Sequence, residues 1–191
     1  FVCPSIWAWR ADRVEKIRKA ADHVLCIFPF EPELLAQHGI EATYVGHPLA
    51  QAIPMQTDAA VARAALGIDA HGPVVALLPG SRRAEIDHLG SRFFQAAVLV
   101  QSARPATQFI VPTVPYLLPQ VRQLAAASGL GNAVHVIEGQ SHAALAACDL
   151  TLIASGTATL EAALFHKPMV IAYAMPALSY HLMWRKRQLP W

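Results

Sequence analysis

Runs of consecutive apolar residues alternate along the chain with segments whose apolar positions recur every three or four residues. That alternation predicts strands and helices in turn. Val74-Val-Ala-Leu-Leu78 is apolar throughout and bounded by turn residues, as expected for a strand buried on both faces of a parallel sheet. The next segment, Glu85–Ser102, places Ile86, Leu89, Phe93, Ala97 and Val100 at helical spacing. The pattern continues as strand Gln108–Val111, helix Tyr116–Ala127, strand Val134–Ile137 and helix His142–Ala147. It closes with strand Leu150–Ala154, helix Ala158–Phe165 and strand Met169–Ala172. Strict alternation with apolar strands implies an α/β fold, a Rossmann-like doubly wound parallel sheet over residues 73–175.

The first third of the chain repeats the alternation in shorter form. Phe1–Ile6 reads as extended, Ala11–Ala21 as a basic helix and His23–Phe28 as a strand. Glu31–His38 follows as a short helix, and strand Thr43–Val45 leads into Gly46-His47-Pro48. Residues 1–53 therefore read as the end of a preceding α/β domain. The alanine-rich stretch 54–72 reads as a linker region holding one short helix near Asp58–Leu66. Residues 176–191 join an aromatic–apolar cluster (Tyr180, Leu182, Met183, Trp184) to Arg185-Lys186-Arg187. Such a basic amphipathic helix suits an anionic membrane surface, and equally a packing role across a domain boundary.

Composition narrows the function. Hydrophobic residues make up 54% of the 191 and charged residues 15%, which is apolar for a soluble protein. The longest apolar run, Met169 to Leu178, is interrupted by Pro176 and falls short of the roughly 20 residues of a membrane span. Peripheral attachment stays open. A formal charge of +2 is too small to argue for nucleic acid. Cys3, Cys26 and Cys148 are widely spaced with no C-x-x-C pair, which fits buried free thiols in a reducing compartment. The nine histidines have no metal-ligand spacing, so no metal site is expected.

Two loops carry candidate chemistry. Thr151-Leu-Ile-Ala-Ser-Gly-Thr-Ala-Thr-Leu-Glu161 reads as a buried strand, a tight Ser155-Gly156-Thr157 turn, and a helix with a carboxylate about one turn in. The helix start offers N–H groups to an anion, Ser155 and Thr157 add hydroxyls, and Gly156 admits close approach. Glu161 is placed to accept hydrogen bonds from two ribose hydroxyls. An ordinary strand-to-helix connection with a Ser/Thr cap would look the same. In Leu77-Leu-Pro-Gly80-Ser81-Arg82-Arg83, two arginines lie at a strand C-terminus beside a helix start, where open α/β sheets bind ligands. A guanidinium there can fork onto phosphate oxygens, although a solvated arginine pair is the plain alternative. Neither loop is a Walker A or a G-x-G-x-x-G fingerprint, which disfavours a P-loop ATPase and a nicotinamide-binding domain.

Five motifs occur in order: Pro4-Ser-Ile-Trp-Ala-Trp-Arg10, Phe28-Pro-Phe-Glu31, Tyr44-Val-Gly-His-Pro48, Leu77-Leu-Pro-Gly-Ser-Arg82 and Ala154-Ser-Gly-Thr-Ala-Thr-Leu-Glu161. Together they resemble the lipid-A-disaccharide synthase family, inverting glycosyltransferases of Gram-negative bacteria, over essentially the whole chain. The resemblance implies a GT-B enzyme with two Rossmann-like halves and a cleft between them. Such an enzyme transfers 2,3-diacylglucosamine from its UDP-sugar to 2,3-diacylglucosamine 1-phosphate, releasing UDP, on the cytoplasmic face of the inner membrane. It implies no cofactor, no metal and no nucleic-acid partner, with a homodimer as a further possibility.

The same resemblance puts the diphosphate on Arg82, with Gly80, Ser81, Ser155, Gly156 and Thr157 as further donors and Glu161 on the ribose. Uracil would meet the backbone near Val136-Ile137-Glu138-Gly139. Arg10 and His47 would face the cleft from the other half or serve structurally, and Trp7 and Trp9 would pack or line an acyl-chain region. The chain begins as if in mid-strand at Phe1 and ends abruptly at Leu189-Pro190-Trp191. It thus looks like a piece of a protein roughly twice its length, with the general base outside it. A UDP-sugar epimerase or another UDP-N-acetylglucosamine transferase would share the Gly-Thr-Glu element, and a non-catalytic nucleotide-binding module would account for a missing base without truncation. Neither of the two enzymes would be expected to carry Pro4-Ser-Ile-Trp-Ala-Trp-Arg10.

Overall fold

The computed structural model describes residues 2–4, 6, 13–68 and 71–174. The sequence expectations for Arg10, Trp7, Trp9 and the basic amphipathic helix of residues 176–191 lie outside these residues. Two compact units divide the described chain between Ala52 and Ile53.

In the first unit, helix α1 (Val14–Ala20) precedes strand β1 (His23–Cys26), helix α2 (Glu31–Ala36), strand β2 (Glu41–Tyr44) and helix α3 (Pro48–Ala52). β1 and β2 pair in parallel, with His23 opposite Glu41 and Cys26 opposite Tyr44. A small core of Cys3, Ile6, Val14, Val24, Cys26, Leu35 and Ile40 holds the unit together. Glu31 is buried there, and its carboxylate accepts the backbone N–H groups of Ile27 and Phe28 at 3.1 and 3.0 Å. Those two bonds satisfy donors left over where β1 turns into α2, which is why a buried carboxylate is tolerated. Burial, together with the nearby Glu31 charge, pushes the Cys3 thiol up to about 11. Burial alone dominates at Cys148, also raised to about 11. All three cysteines are free and buried.

In the second unit, helix α4 (Ala59–Ala65) comes first, followed by strand β3 (Val74–Leu78). Next come a short helix α5 (Arg83–Glu85), a π turn (Ile86–Gly90) and helix α6 (Ser91–Ala103). Then follow β4 (Gln108–Thr113), α7 (Leu118–Ala127), β5 (Val134–Glu138), α8 (Ser141–Ala147), β6 (Leu150–Ala154), α9 (Thr157–Leu164) and β7 (Met169–Ala172). The five strands are parallel in the order β5-β4-β3-β6-β7. The first strand of the unit is thus central, and the chain winds outward on one side before crossing to the other. This doubly wound order makes the gap between β3 and β6 the switch point, where loops after adjacent strands diverge and leave a crevice.

The apolar run of β3 is buried at every position, as the sequence requires. One face of the sheet packs Val75, Leu77, Phe109 and Val111 against Ile86, Leu89, Phe93 and Phe94. Each side chain of this size contributes about 2 kcal/mol on full burial.

Three features depart from the sequence reading. Helix Glu85–Ser102 is interrupted by the π turn; beyond it Phe93, Phe94 and Ala97 are buried, while Val100, in the last turn of α6, is exposed. The turn ends at Gly90, whose missing Cβ would stand 2.7 Å from the Leu124 side chain, so α6 and α7 approach closely. Strand β4 runs past Pro112 to Thr113, because Pro112 lies beyond the last residue paired to β3 and is flanked there by β5.

The third departure is the expected linker 54–72, which contributes α4 to the second unit. Asp58 caps α4 by accepting the N–H groups of Ala60 and Val61. Arg63 then donates Nε to the Ala147 carbonyl and Nη2 to both Asp149 oxygens, each at 2.8 Å. Asp149 in turn accepts the N–H of Val74 at 2.8 Å, while Lys167 donates to the carbonyls of Ala146 and Cys148. Two cations therefore satisfy the carbonyl end of α8, where the helix dipole is negative. Arg63→Ala is expected to lower stability by about 2 kcal/mol, the scale of hydrogen bonds to a charged group. Urea unfolding checks this, and an unchanged midpoint would show that α4 is not held by Arg63.

Candidate functional site

The C-terminal ends of β3, β4, β5 and β6 open onto one cleft of about 460 Å³ in the second unit. Gly80, Ser81 and Arg82 form one wall, and Ser155, Gly156, Thr157 and Glu161 the other. Seven of the residues singled out from sequence thus meet around the switch point. His47 belongs to the first unit, where its ring Nδ1 accepts the N–H of Leu49 at the start of α3. Gly139 lines the cleft, but Val136, Ile137 and Glu138 are not among its described lining residues.

The two walls differ in how their backbone donors are used. On the β3 side, Gly80 takes a φ of +127°, a conformation suited to glycine. A Cβ at this position would collide with the Glu85 side chain. The Glu85 carboxylate accepts the N–H of Ser81 at 2.8 Å and of Arg82 at 3.1 Å. It also pairs with Arg82 Nη1 at 3.0 Å. From the far side, the Tyr116 hydroxyl donates to the Ser81 carbonyl at 2.5 Å. The expectation that this loop offers backbone N–H groups to an anion is therefore corrected: Glu85 already occupies them. What the loop presents is the Arg82 side chain, 81% exposed, and the Ser81 hydroxyl.

On the β6 side the N–H of Ser155 is taken by the Ala172 carbonyl at 2.9 Å, and the open donors lie beyond it, at the start of α9. No side chain caps the start of α9, and the one early turn bond runs from Thr159 back to the Gly156 carbonyl. The first N–H groups of a helix have no intrahelical acceptor, so those of Thr157 and Ala158 face the cleft with the positive end of the dipole. Gly156 is extended rather than left-handed, and a Cβ there would meet open space. Its value is the room it leaves in the cleft, not a turn other residues could not make.

Glu161, one turn into α9, has its carboxylate 3.4 Å from His142 Nε2, with side chains 20% and 45% exposed. The His142 ring also packs against Phe165, with centroids 5.5 Å apart. Sequence reading missed His142, Glu85 and Tyr116. Glu85 stands at the third helical position, where a carboxylate reaches back to unpaired N–H groups, and that spacing was available as a signal. His142 lies in the first turn of α8, four residues beyond the end of β5 in a parallel sheet, so its place near the ligand edge was inferable.

Chemically, the cleft has a cation on one wall and an open helix start opposite, an arrangement suited to a diphosphate. A carboxylate one turn below can accept hydrogen bonds from neighbouring hydroxyls. Among the described residues, no group of three or more His, Cys, Asp or Glu side chains is placed to hold a metal.

The fold has counterparts among solved structures. The C-terminal domain of a group 1 family glycosyl transferase from Francisella tularensis superposes with TM-score 0.51 at 14% identity, over 71% of this chain and 84% of that one. S. aureus MnaA, solved with UDP, superposes with TM-score 0.63 at 17% identity, over 88% of this chain and 48% of that one. These likenesses show the fold: a Rossmann-like α/β arrangement around a parallel sheet.

The lipid-A-disaccharide synthetase (LpxB) family matches residues 1–187, and the chain belongs to that family. It is 64% identical to a lipid-A-disaccharide synthase of Albidiferax ferrireducens and 63% identical to that of Verminephrobacter eiseniae. A Burkholderia mallei relative of the same name is 50% identical. Each alignment covers 100% of this chain and 49% of the relative, so the chain spans about half the length of these curated relatives.

Proposed function

We propose that this chain supplies the nucleotide-binding part of a glycosyltransferase that joins two diacylglucosamine units. The donor is UDP-2,3-diacylglucosamine, the acceptor 2,3-diacylglucosamine 1-phosphate, and the products a β-1,6-linked disaccharide and UDP. Residues 73–175 form the UDP-sugar domain and residues 1–53 the end of the acceptor-side domain, with Arg10 and His47 on that side. The observation that carries the reading is the pairing of exposed Arg82 with the open start of α9 across the switch point, Glu161 lying one turn below. Family membership supplies the sugar and lipid chemistry.

In the reaction, the acceptor 6-hydroxyl oxygen bonds to the donor anomeric carbon as the bond to the UDP oxygen breaks. The hydroxyl proton passes to a base of the acceptor-side half. The electron pair of the breaking bond leaves as negative charge on the diphosphate. Arg82 and the N–H groups of Thr157 and Ala158 offset that charge as it develops. Glu161 fixes the ribose, and the end of β5 near Gly139 meets the uracil.

Both substrates carry acyl chains, so the site of work is the cytoplasmic face of the inner membrane, with Arg185-Lys186-Arg187 suited to its anionic surface. No helix of the described residues is long and apolar enough to cross a membrane. The test is UDP release by the full-length protein. Release is expected only with both diacylglucosamine substrates present, at a rate unaffected by EDTA. Release without acceptor, or from UDP-N-acetylglucosamine alone, would point to a different UDP-sugar enzyme.

A further inference from the structure

We infer that Glu85 is the positioning residue of Arg82, holding its guanidinium over the cleft without itself touching the nucleotide. The role rests on the nucleotide reading above. One Glu85 carboxylate makes three contacts with the loop: the N–H groups of Ser81 and Arg82, and Arg82 Nη1. A long, flexible side chain that is 81% exposed would otherwise sample many rotamers, and ordering it at the moment of binding would cost affinity. Pairing at Nη1 fixes one corner of the guanidinium and leaves Nη2 and Nε for phosphate oxygens.

The backbone is built around this carboxylate. Gly80 has no side chain where Glu85 lies, and its φ of +127° lets the loop fold over the carboxylate. Tyr116 fastens the opposite side of the loop through the Ser81 carbonyl. Glu85 is also the reason the loop's own N–H groups take no part in anion binding, so the diphosphate is directed to the open start of α9. Neighbouring Arg83 is outside the cleft lining among the described residues.

A competing arrangement would have Glu85 act as a stand-in anion, expelled when the diphosphate arrives. The structure disfavours it: expulsion would break all three contacts of the carboxylate with the loop at once and leave the space beside Gly80 unfilled.

The test is a double-mutant cycle in the full-length protein, read by calorimetry with UDP, uridine and pyrophosphate. Glu85→Gln keeps the size of the side chain but can accept through only one oxygen. It is expected to weaken UDP and pyrophosphate about tenfold, the scale of a lost charge-assisted contact, and to leave uridine unchanged. In an Arg82→Ala background the same change should have no further effect, since Glu85 acts through Arg82. An undiminished loss in that background, or an equal loss with uridine, would overturn the role in favour of a purely structural cap. Tighter UDP binding by Glu85→Gln would overturn it in favour of the stand-in anion. If the wild type bound pyrophosphate but not UDP, the nucleotide reading would fall. The pyrophosphate arm would then decide the role of Glu85 alone, with equal affinity in wild type and variant counting against it. Binding of neither ligand would overturn both.

Discussion

Arg82→Ala in the full-length protein is expected to cut kcat about a hundredfold or more and to weaken ground-state binding less, by about tenfold. The loss in kcat is on the scale seen when one preorganised donor to developing charge is removed. The split follows from what the side chain contacts. In the resting cleft Arg82 is mostly solvent-exposed and already paired with Glu85, so its ground-state hold on a bound diphosphate is shared and screened. Its contribution grows as the breaking bond pushes charge onto the leaving oxygen, and interactions that strengthen in the transition state appear in kcat. Arg82→Lys should recover only part of the loss. An ammonium cannot both pair with Glu85 and present a planar fork to two phosphate oxygens. Arg83→Ala is the control: it removes an equal charge one residue away, from a side chain outside the described cleft lining, and should be mild. A larger loss at Arg83, or a rise in KM alone at Arg82, would sink the assignment.

The succession of strands and helices along the chain was readable in the sequence for a simple reason. Strands buried on both faces must be apolar at every position, and Val74–Leu78 therefore announces itself without an alignment. Alternation then forces a parallel sheet, and a parallel sheet forces the ligand to the strand C-termini, which placed Gly80–Arg82 and Ser155–Thr157 together.

What escaped was whatever depends on three-dimensional pairing. Glu85 reads as one more helix-surface carboxylate until its bonds to Ser81 and Arg82 are known. Those bonds leave backbone donors on one wall only: the Ser81 and Arg82 N–H groups go to Glu85, and the start of α9 stays uncapped. The π turn at Ile86–Gly90 leaves no mark in the 3.6-residue pattern, since Phe93 and Ala97 beyond it are buried as that pattern requires; Val100, in the last turn of α6, is exposed because the helix end runs clear of the sheet core. Helix α4 looked like linker because its short alanine-rich sequence carries little of its own stabilisation. Its place is set by the distant pairing of Arg63 with Asp149.

Glu161→Ala is expected to weaken UDP by roughly 1.5–3 kcal/mol, the range for hydrogen bonds to a charged group, and to leave a 2′,3′-dideoxy analogue nearly unaffected. The carboxylate is only 20% exposed, so hydroxyls that bond to it do so in a partly desolvated site, where the interaction counts for more than in water. The one described side chain that competes for it is His142, 3.4 Å away and itself 45% exposed. That exposure keeps the His142 contribution small, since half-solvated ion pairs contribute about 0–1 kcal/mol. His142→Ala should therefore change UDP affinity far less than Glu161→Ala. The dideoxy analogue separates the two explanations for any loss. A carboxylate that bonds the ribose discriminates between the ligands, whereas one that merely seats α9 against His142 and Phe165 weakens both equally. Equal losses would move the ribose contact off Glu161 and leave it a structural role at the start of α9.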